Sequence, residues 1–513
     1  MHLGHGSRMS DYLAAIDQGT TGTRCILFDL RGQIAASAYR EHQQIFPHPG
    51  WVEHDPLEIW TRSQEVVAEA LRAAPRASIV AVGVTNQRET VVAWDARTGR
   101  PVYNAIVWQD TRTEPDCRAL IEAGWDEDVR ARTGLPISTY FSATKIRWLL
   151  ANVPAMRGLA SSGHLRLGTI DTWVIWNLTG GPAGGTHVTD ATNASRTLLC
   201  NLATLEWDPV LLERFGVPAR ALPAIRPSAA AEPYGHTRAD GPFGAAIPVC
   251  GDLGDQQAAL VGQACFAPGE AKNTYGTGSF LLQHVGATPS RSTHGLLGTA
   301  AYTLADERAY ALEGSVAITG AAVQWLRDNL GLISNAAETE AIAQQVPDAG
   351  GIYFVPAFSG LFAPYWDMRA RGAIVGLTRY VTKAHLVRAT LEAICFQSRE
   401  VLDAMVADSG HAVTVLKVDG GATANDFLMQ LQADILGVPV VRPAVRETTA
   451  LGAAYAAGLA RGVFASTDDL RRLWRADRTF EPAWEAGRRE AALAGWKRAV
   501  ERTRGWLETE APA

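Results

Sequence analysis

The sequence predicts an α/β protein with two similar lobes. Apolar runs of strand type alternate with helical segments in both halves of the 513-residue chain, and this alternation is typical of α/β layers. Each half also contains two apolar runs joined by a glycine- and threonine-rich turn, at residues 17–24 and at residues 275–280. We place the domain boundary near Gln263, which gives two domains, residues 11–263 and residues 264–513. Residues 1–10 are predicted to be a disordered or non-native start.

The first half begins with three predicted strands. Residues 12–16 and 25–30 flank the first turn, and residues 33–38 form the third strand. A helix over residues 56–73 has a clear start, because Asp55 can cap it, Pro56 suits its first position and Glu58 can complete a capping box. The remaining predictions for this half are strands at 79–84 and 91–94, helices at 144–150 and 171–178, a loop at 179–185 and a surface run at 216–249.

The second half repeats this plan. Residues 271–273 and 280–283 are predicted strands on either side of the second turn, and residues 318–328 are predicted to be helical. A strand at 415–419 ends in Gly420-Gly421-Ala422 and leads into a helix over residues 425–436. A last strand at 438–442 precedes a helix of small residues over 447–461, which can pack closely against its neighbours.

The composition limits the class of protein. A hydrophobic share of 47% and a charged share of 19% are typical of a soluble globular chain with a large core. The net charge of −6 and the absence of a long basic run argue against binding to nucleic acid. Six scattered cysteines without a C-x-x-C pair argue against a disulfide framework or a zinc site and favour a reducing compartment. We therefore predict a cytoplasmic protein, without a signal peptide or an inserted membrane segment.

The two glycine-rich turns carry the first functional signal. Glycine lets the backbone approach an anion closely, and a threonine hydroxyl can donate to it. Because Asp17 leads the first turn, the pair looks like a clamp on the phosphates of a nucleotide. Two ordinary hairpin turns are the alternative for either turn taken alone. The common P-loop pattern, G-x-x-x-x-G-K-[ST], is missing from the sequence, so the predicted phosphate site is of another kind.

Two polar segments are candidates for binding and activating a hydroxyl substrate. Asp255 stands where an apolar run gives way to a helix, and it can act as a general base or cap that helix. Arg88 and Glu89 follow a predicted strand, where they can bind the hydroxyls of a polyol or form a solvated surface ion pair. The residues alone leave both alternatives open.

Aromatic side chains and one strand–turn–helix segment complete the set of candidates. Tyr140 can add a hydroxyl, and Trp108 and Phe280 can cover the carbon face of a substrate or belong to the core. The glycines of residues 419–425 let the backbone approach a base or a phosphate, with Asn425 close by. A plain strand–helix turn explains this last pattern equally well.

Eleven segments in order resemble the FGGY carbohydrate kinases, a family within the superfamily of actin, hexokinase and Hsp70-like ATPases. The similarity extends from about Leu13 to about Gly462, and it is strongest to the members that act on glycerol. The segments are DQGTTGTR (17–24), WVEHDP (51–56), TNQRET (85–90), YNAIVWQD (103–110), YFSATKIRWLL (140–150), GTIDTWVIWNLTG (168–180), GDQQAAL (254–260), KNTYGTG (272–278), FVPAFSGLFAPYW (354–366), VDGGATAN (418–425) and ETTALGAAYAAG (447–458).

This resemblance implies ATP-dependent phosphorylation of glycerol to sn-glycerol 3-phosphate, in a cleft between two actin-like (ribonuclease H-like) domains. It implies that Asp255 is the catalytic base and that Asp17 holds Mg²⁺ through water. The glycerol-binding residues it implies are Arg88, Glu89, Tyr140, Asp255, Gln256, Trp108 and Phe280. The nucleotide-binding residues it implies are Thr20, Thr21, Arg24, Thr277, Gly320, Gln324, Gly421 and Asn425. It further implies a homodimer or homotetramer with small-molecule substrates.

The sequence departs from the family pattern at two regulatory segments. Some bacterial members bind fructose 1,6-bisphosphate with a Gly-Gly-Lys-Gly-Gly-Thr-Arg loop, whereas residues 239–245 here read ADGPFGA and contain no cation. Because phosphate recognition relies on Lys or Arg, we expect no such regulation. The segment that docks a sugar-transport regulator in bacterial members is also unlike residues 482–493.

Three rival functions follow from the same resemblance. Another FGGY kinase would act on a sugar or a tetritol, but Arg88-Glu89 and the bulky Trp108 favour a three-carbon polyol. A member that only binds its ligand is disfavoured by the intact Asp17 and Asp255. An Hsp70-like chaperone would need a peptide-binding domain, for which the sequence has no segment.

Overall fold

The computed structural model describes residues 10–304 and 307–507. Its strands are β1 (Ser10–Gln18), β2 (Gly22–Asp29), β3 (Ile34–Glu41), β4 (Glu53–His54), β5 (Ala77–Asn86), β6 (Val92–Asp95), β7 (Ala105–Ile106), β8 (Leu165–Gly168), β9 (Val188–Asp190), β10 (Cys200–Asn201), β11 (Glu206–Trp207), β12 (Ala224–Arg226), β13 (Gly235–His236), β14 (Pro248–Gly254), β15 (Ala271–Tyr275), β16 (Ser279–Gly286), β17 (Leu297–Leu304), β18 (Glu307–Val316), β19 (Tyr353–Val355), β20 (Ala373–Val375), β21 (Leu416–Asp419), β22 (Val440–Pro443) and β23 (Ala476–Phe480).

The α-helices connect these strands and cover the sheets. They are α1 (Pro56–Ala73), α2 (Glu114–Glu122), α3 (Asp126–Thr133), α4 (Ser142–Asn152), α5 (Pro154–Ser162), α6 (Ile170–Leu178), α7 (Ala191–Ala194), α8 (Pro209–Phe215), α9 (Asp255–Gly262), α10 (Gly320–Asp328), α11 (Glu338–Ala343), α12 (Lys383–Ser409), α13 (Asp426–Leu436), α14 (Thr448–Ala460), α15 (Thr467–Leu473) and α16 (Ala486–Glu501).

Two mixed sheets that share the order and directions of five central strands organise the chain. The first has the strand order β13-β14-β5-β1-β2-β3, and the second has the order β17-β18-β16-β15-β21-β22-β23. In the first sheet β1, β2 and β3 are antiparallel neighbours, while β5 and β14 run parallel to β1. In the second, β15, β16 and β18 are antiparallel neighbours, while β21 and β22 run parallel to β15. The predicted α/β architecture with two similar lobes is therefore confirmed.

Helix α14 packs against the first sheet although it lies late in the sequence. Its alanines join a buried cluster with Leu13 of β1 and Ala81 of β5. The contact is tight, because a Cβ at Gly452 would lie 1.8 Å from the carbonyl oxygen of Ala258, and a Cβ at Gly83 would lie 2.1 Å from that of Ala453. The sequence prediction that this helix of small residues packs closely is confirmed, and the helix ties the second half of the chain to the first sheet.

The start of α1 agrees with the sequence in its bounds and only partly in its cap. The Asp55 carboxylate accepts a hydrogen bond from the Leu57 amide at 2.8 Å, as predicted. The predicted capping box is wrong: the Glu58 carboxylate instead accepts from the Gln43 amide at 3.0 Å and from Arg62 at 3.0 Å. Tertiary and i,i+4 partners therefore replace the local interaction.

Three other sequence predictions need correction. The predicted loop at 179–185 contains a short 3₁₀ helix, Gly181–Ala183. The predicted surface run at 216–249 contributes β12 and β13 to two sheets. It also buries Tyr234 and Ile247 in the hydrophobic cluster between the first sheet and its helices. Sequence reasoning also missed the β17–β18 hairpin and the 27-residue helix α12, which crosses the core of the second lobe.

The ends and the cysteines add three observations. Residues 1–9 of the predicted disordered start lie outside the described residues, and β1 begins at Ser10. All six cysteines are buried free thiols. Within residues 10–304 and 307–507, none of the helices has the length and apolar character needed to cross a membrane.

Candidate active site

The first glycine-rich turn connects β1 to β2, and side-chain amides hold it from behind. It is closed by a hydrogen bond from the Gly19 amide to the Gly22 carbonyl at 2.9 Å. The Gly19 carbonyl accepts from the side chains of Gln18 at 2.8 Å and Gln87 at 3.2 Å. The Thr20 carbonyl accepts from the Gln44 side chain at 2.9 Å. Because these amides occupy the carbonyls, the turn keeps a fixed shape in which Thr20 and Thr21 remain accessible to a ligand.

Asp17 and Arg24 face each other across the same hairpin. They are paired in the β1–β2 register, and Arg24 forms an ion pair with Glu447 just before α14. Burial raises the pKa of Asp17 to about 7, with Arg24 opposing the shift and the charges of Asp255 and Glu447 adding to it. Two predicted site residues from distant segments, Asp17 and Asp255, are therefore close enough to interact electrostatically.

The second turn connects β15 to β16 and rests on the start of α10. Its Gly276 amide donates to the Gly278 carbonyl at 2.8 Å. The Thr277 carbonyl accepts from the amides of Thr319 and Ala321, each at 3.0 Å. A Cβ at Gly320 would lie 2.5 Å from the Gly276 carbonyl oxygen, so this contact requires glycine. The turn therefore joins Thr277 to Gly320 and to Gln324, which lies exposed one turn along α10.

The strand–turn–helix segment after β21 lies beside the second turn. Gly420 has a φ of +90°, and a Cβ there would lie 2.2 Å from the Tyr275 carbonyl oxygen. The neighbouring Gly421 is exposed, and a Cβ there would meet no atom within 4 Å. Asn425 caps α13 by accepting from the Leu428 amide at 2.8 Å. The side chain of Asn425 is thus partly committed to the helix, and Gly421 leaves open space for a ligand.

Arg88 and Glu89 lie in a buried charge network and not at the surface. They are 3% and 1% exposed, so the alternative of a solvated ion pair is wrong. The Arg88 guanidinium forms an ion pair with Glu313, lies 3.0 Å from the Asp255 carboxylate and donates to Gln257 at 3.3 Å. Glu89 adopts a left-handed φ of +62°. This strained backbone directs Glu89 into the same network.

Arg196 and Glu313 complete this network, and sequence reasoning missed both. The Arg196 guanidinium donates to Glu89 at 2.7 Å and to Glu313 at 2.9 Å. Burial raises the pKa of Glu89, against the influence of Arg196 and Arg88. At Glu313, burial is outweighed by Arg196 and Arg88, and the pKa is lowered. Glu313 belongs to β18 of the second sheet, so both lobes build the network.

Asp255 is the first residue of α9, while Gly254 occupies the N-cap position. The alternative that Asp255 caps the helix is therefore wrong by one residue. One oxygen of its carboxylate, Oδ1, accepts from the Gln256 amide at 2.7 Å and faces Arg88. The Asp255 side chain is 28% exposed, which is enough for a hydroxyl to reach it. Its position is thus suited to take a proton from a bound substrate.

Three aromatic residues form a partly exposed wall above the charge network. The Trp108 ring centroid lies 5.4 Å from that of Tyr140 and 6.3 Å from that of Phe280, both in edge-on contact. Trp108 and Phe280 are only partly buried, so the alternative that these two belong to the core is wrong, whereas Tyr140 also packs against a hydrophobic cluster of the first lobe. Burial raises the pKa of Tyr140, so its hydroxyl stays protonated and can donate a hydrogen bond. The wall can cover the carbon chain of a small polyol.

Two buried lysines hold this wall and its neighbours in place, and neither was singled out from the sequence. The Lys272 ammonium donates to the Gln256 side chain, to Thr274 at 2.8 Å and to the Phe280 carbonyl at 3.3 Å. The Lys145 ammonium donates to the carbonyls of residues 139–141, including that of Tyr140 at 2.9 Å. Burial lowers the pKa of each lysine to about 8.

Comparisons with known proteins agree with this arrangement. The family model for the N-terminal domain of the FGGY carbohydrate kinases matches residues 12–262, and that for the C-terminal domain matches residues 271–461. A protein of Mycobacterium tuberculosis (strain H37Ra) named glycerol kinase is 59% identical over 97% of each chain. Glycerol kinase 1 of Streptomyces coelicolor is 58% identical over 98% of this chain and 99% of its own.

Solved structures lead to the same family. Plasmodium falciparum glycerol kinase with ADP covers 98% of this chain and 99% of its own, with 39% identity and a TM-score of 0.91. A xylulose kinase of Rhodospirillum rubrum covers 96% and 98%, with 26% identity and a TM-score of 0.83. The predicted fold of two actin-like α/β domains is confirmed by these similarities. The chain belongs to the FGGY family of carbohydrate kinases.

Proposed function

We propose that this protein transfers the γ-phosphoryl group of ATP to glycerol and forms sn-glycerol 3-phosphate, the first step of glycerol catabolism. The observation that carries the proposal is the small polar pocket in which Arg88, Glu89 and Asp255 meet beneath an aromatic wall. The relatives named glycerol kinase, at up to 59% identity over nearly the whole chain, support the same substrate.

Glycerol matches this site by its polarity and by the aromatic side chains beside the charged ones. Arg88 donates to an acceptor hydroxyl, Glu89 accepts from one, and Tyr140 donates through its phenol. Gln256 stands beside Asp255 and is held by Lys272. Trp108 and Phe280 cover the carbon chain. The pocket thereby satisfies three hydroxyls, and the aromatic wall restricts a longer sugar.

Asp255 is the general base in this proposal. Arg88 and the Gln256 amide contact Oδ1, which leaves Oδ2 to receive the proton of a primary hydroxyl. The oxygen then attacks the γ-phosphorus in line with the departing ADP. Positioning and electrostatic stabilisation supply most of the rate in phosphoryl transfer, so the fixed geometry of the pocket matters as much as the base. Closure of the two lobes excludes water, which would otherwise compete as the acceptor.

The two glycine-rich turns bind the nucleotide. Thr20, Thr21 and Arg24 contact the phosphates from the first lobe, and Thr277 contacts them from the second. The rest of the nucleotide is contacted by four residues of the second lobe: Gly320, Gln324, Gly421 and Asn425. This division assigns most of the acceptor and phosphate contacts to domain 11–263, and the rest of the nucleotide, together with Phe280 beside the acceptor, to domain 264–513.

The Mg²⁺ ion that accompanies ATP fits a site at Asp17. The described residues contain no group of three or more His, Cys, Asp or Glu side chains able to hold a metal ion directly. Asp17, at the end of β1 beside the first phosphate turn, offers a hard carboxylate oxygen that would hold Mg²⁺ through water, since this ion usually keeps several waters and takes one or two carboxylates together with substrate phosphates. The ion would neutralise charge on the transferred group. We also propose a cytoplasmic homodimer or homotetramer.

A panel of acceptors tests the proposed function. ADP release is measured with glycerol, dihydroxyacetone, erythritol, xylulose and gluconate at saturating ATP, together with a reaction that lacks acceptor. We expect the highest kcat/KM with glycerol. Xylulose is the acceptor of the second candidate function, because a xylulose kinase shares the fold at 26% identity. A higher kcat/KM with xylulose than with glycerol would refute the assignment.

A further inference from the structure

One side chain touches both substrate sites. The Trp108 ring lies in edge-on contact with Tyr140 and Phe280 on the acceptor side. Its indole nitrogen lies on the other side, where it donates to the Thr20 hydroxyl of the first turn at 2.9 Å. The Trp108 backbone amide also donates to the Thr90 hydroxyl at 3.2 Å. The indole is therefore held in a fixed place between the two sites.

The direction of this hydrogen bond follows from the chemistry of the two groups. An indole N–H is only a donor, while a threonine hydroxyl has one proton and two lone pairs. The Thr20 oxygen must therefore accept from Trp108, and its own proton must point elsewhere. The Thr20 carbonyl is already occupied by Gln44 at 2.9 Å. Since Thr20 is only half-buried, its hydroxyl proton can reach a ligand in front of the turn.

We propose that Trp108 is a positioning residue for the phosphate turn: its indole N–H orients the Thr20 hydroxyl as a hydrogen-bond donor toward the phosphates of the nucleotide. This inference deepens the proposed function and rests on the assignment of Thr20 to the nucleotide side. It gives Trp108 a second role besides covering the acceptor. Because the same rigid side chain contacts the acceptor pocket, a bound acceptor that stabilises the ring also stabilises the donor geometry at Thr20.

The variant Trp108→Phe separates the two roles. Phenylalanine keeps an aromatic ring against Tyr140 and Phe280 but has no N–H. We expect the Kd for ADP, measured by calorimetry without any acceptor, to rise about three- to tenfold, which is the usual effect of one lost hydrogen bond. The KM for ATP should rise in the same range. The KM for glycerol should change less than the KM for ATP.

A matched control and a double-mutant cycle make the test specific. Trp207→Phe also removes one indole donor, which bonds the Pro223 carbonyl at 2.8 Å away from both sites, and it should leave the ADP Kd unchanged. Thr20→Val removes the hydroxyl and keeps the shape. If the indole acts through that hydroxyl, adding Trp108→Phe to Thr20→Val should weaken ADP binding no further.

The outcomes are distinguishable. Additive losses in the double variant, or a rise in the glycerol KM alone after Trp108→Phe, would overturn the proposal. Melting temperatures of all variants identify a loss of ADP affinity that comes from unfolding. If Trp108→Phe is unfolded, the Thr20→Val variant still tests whether the Thr20 hydroxyl contributes to ADP binding. The ADP measurement needs no acceptor, so a failure of glycerol as the substrate and a failure of this inference appear in separate experiments.

Discussion

Replacing Asp255 with asparagine removes the proposed base and little else. The contacts described for its carboxylate involve Oδ1, which accepts from the Gln256 amide at 2.7 Å and lies 3.0 Å from Arg88. An asparagine Oδ1 can keep both contacts. The other oxygen becomes an NH₂ group, which cannot accept the proton of the attacking hydroxyl. Asp255→Asn is therefore close to a pure test of proton transfer.

The structure also bounds the side effects of this change. Arg88 loses one negative neighbour but keeps its ion pair with Glu313, which in turn is shared with Arg196. The buried cations therefore remain compensated, and we expect the fold to persist. General bases contribute about 10²- to 10⁴-fold, or about 3–5 kcal/mol of transition-state stabilisation. We expect kcat to fall by that factor while glycerol binding stays measurable.

The assay combines turnover with binding. Coupled ADP release gives kcat, and calorimetry with glycerol gives the Kd of the acceptor. Asp240→Asn is the matched control, because Asp240 is an exposed carboxylate paired with Arg238 and should leave kcat unchanged. An Asp255→Asn variant that retains more than half of the wild-type kcat would remove Asp255 from the role of base.

Four further outcomes can be checked. Arg88→Ala should raise the glycerol KM about ten- to a hundredfold, because it loses charge-assisted hydrogen bonds of about 1.5–3 kcal/mol; a raised ATP KM with an unchanged glycerol KM would place Arg88 on the nucleotide side. Glu313→Gln should lower the free energy of unfolding, measured in urea, by about 3–5 kcal/mol, because it breaks the buried ion pairs of Glu313 with Arg88 and Arg196. A loss below about 1 kcal/mol would contradict this prediction. Lys145 has a pKa of about 8 in the folded protein against an ordinary value of 10.5, so it binds fewer protons when folded and stability should rise with pH between those values. Lys145→Met should reduce that rise by up to about 1.4 kcal/mol per pH unit, and an unchanged slope would show that Lys145 does not titrate there. Fructose 1,6-bisphosphate should not inhibit, because residues 239–245 contain no Lys or Arg and Arg238, one of the cations near this loop, already pairs with Asp240 at 2.7 Å. Inhibition that disappears in Arg238→Ala would contradict this, and rates at several protein concentrations test it.

Local signals in the sequence predicted the parts of the fold that local chemistry determines. The two glycine-rich turns, the strands around them and the bounds of α1 follow from residues that are neighbours in the chain. The capping box at Glu58 failed because Gln43 and Arg62 compete for the same carboxylate. The first of these partners lies 15 residues away, so no local pattern could reveal the competition.

The residues of the candidate site show the same difference between local and long-range signals. Arg88, Glu89 and Asp255 stand in recognisable segments, and the resemblance to the FGGY family is enough to suggest them. Arg196 and Glu313 belong to none of the segments that carry the resemblance, and the Arg88–Glu313 pair joins residues 225 positions apart. Only an alternating strand pattern around a charged residue could have drawn attention to Glu313, since an acidic side chain in the middle of a buried strand needs a partner.

The position of Glu313 affects how the acceptor pocket forms. Arg88 and Arg196 come from the first half of the chain, whereas β18, which carries Glu313, belongs to the second sheet. Separating the lobes would remove this shared carboxylate from both guanidiniums and leave Arg196 with Glu89 and Arg88 with Asp255, and a buried cation that loses a carboxylate partner is destabilised. Glu313 therefore links the two lobes at the acceptor site through buried ion pairs, whereas the pair of Arg24 and Glu447, at 31% and 38% exposure, is better solvated and costs less to break.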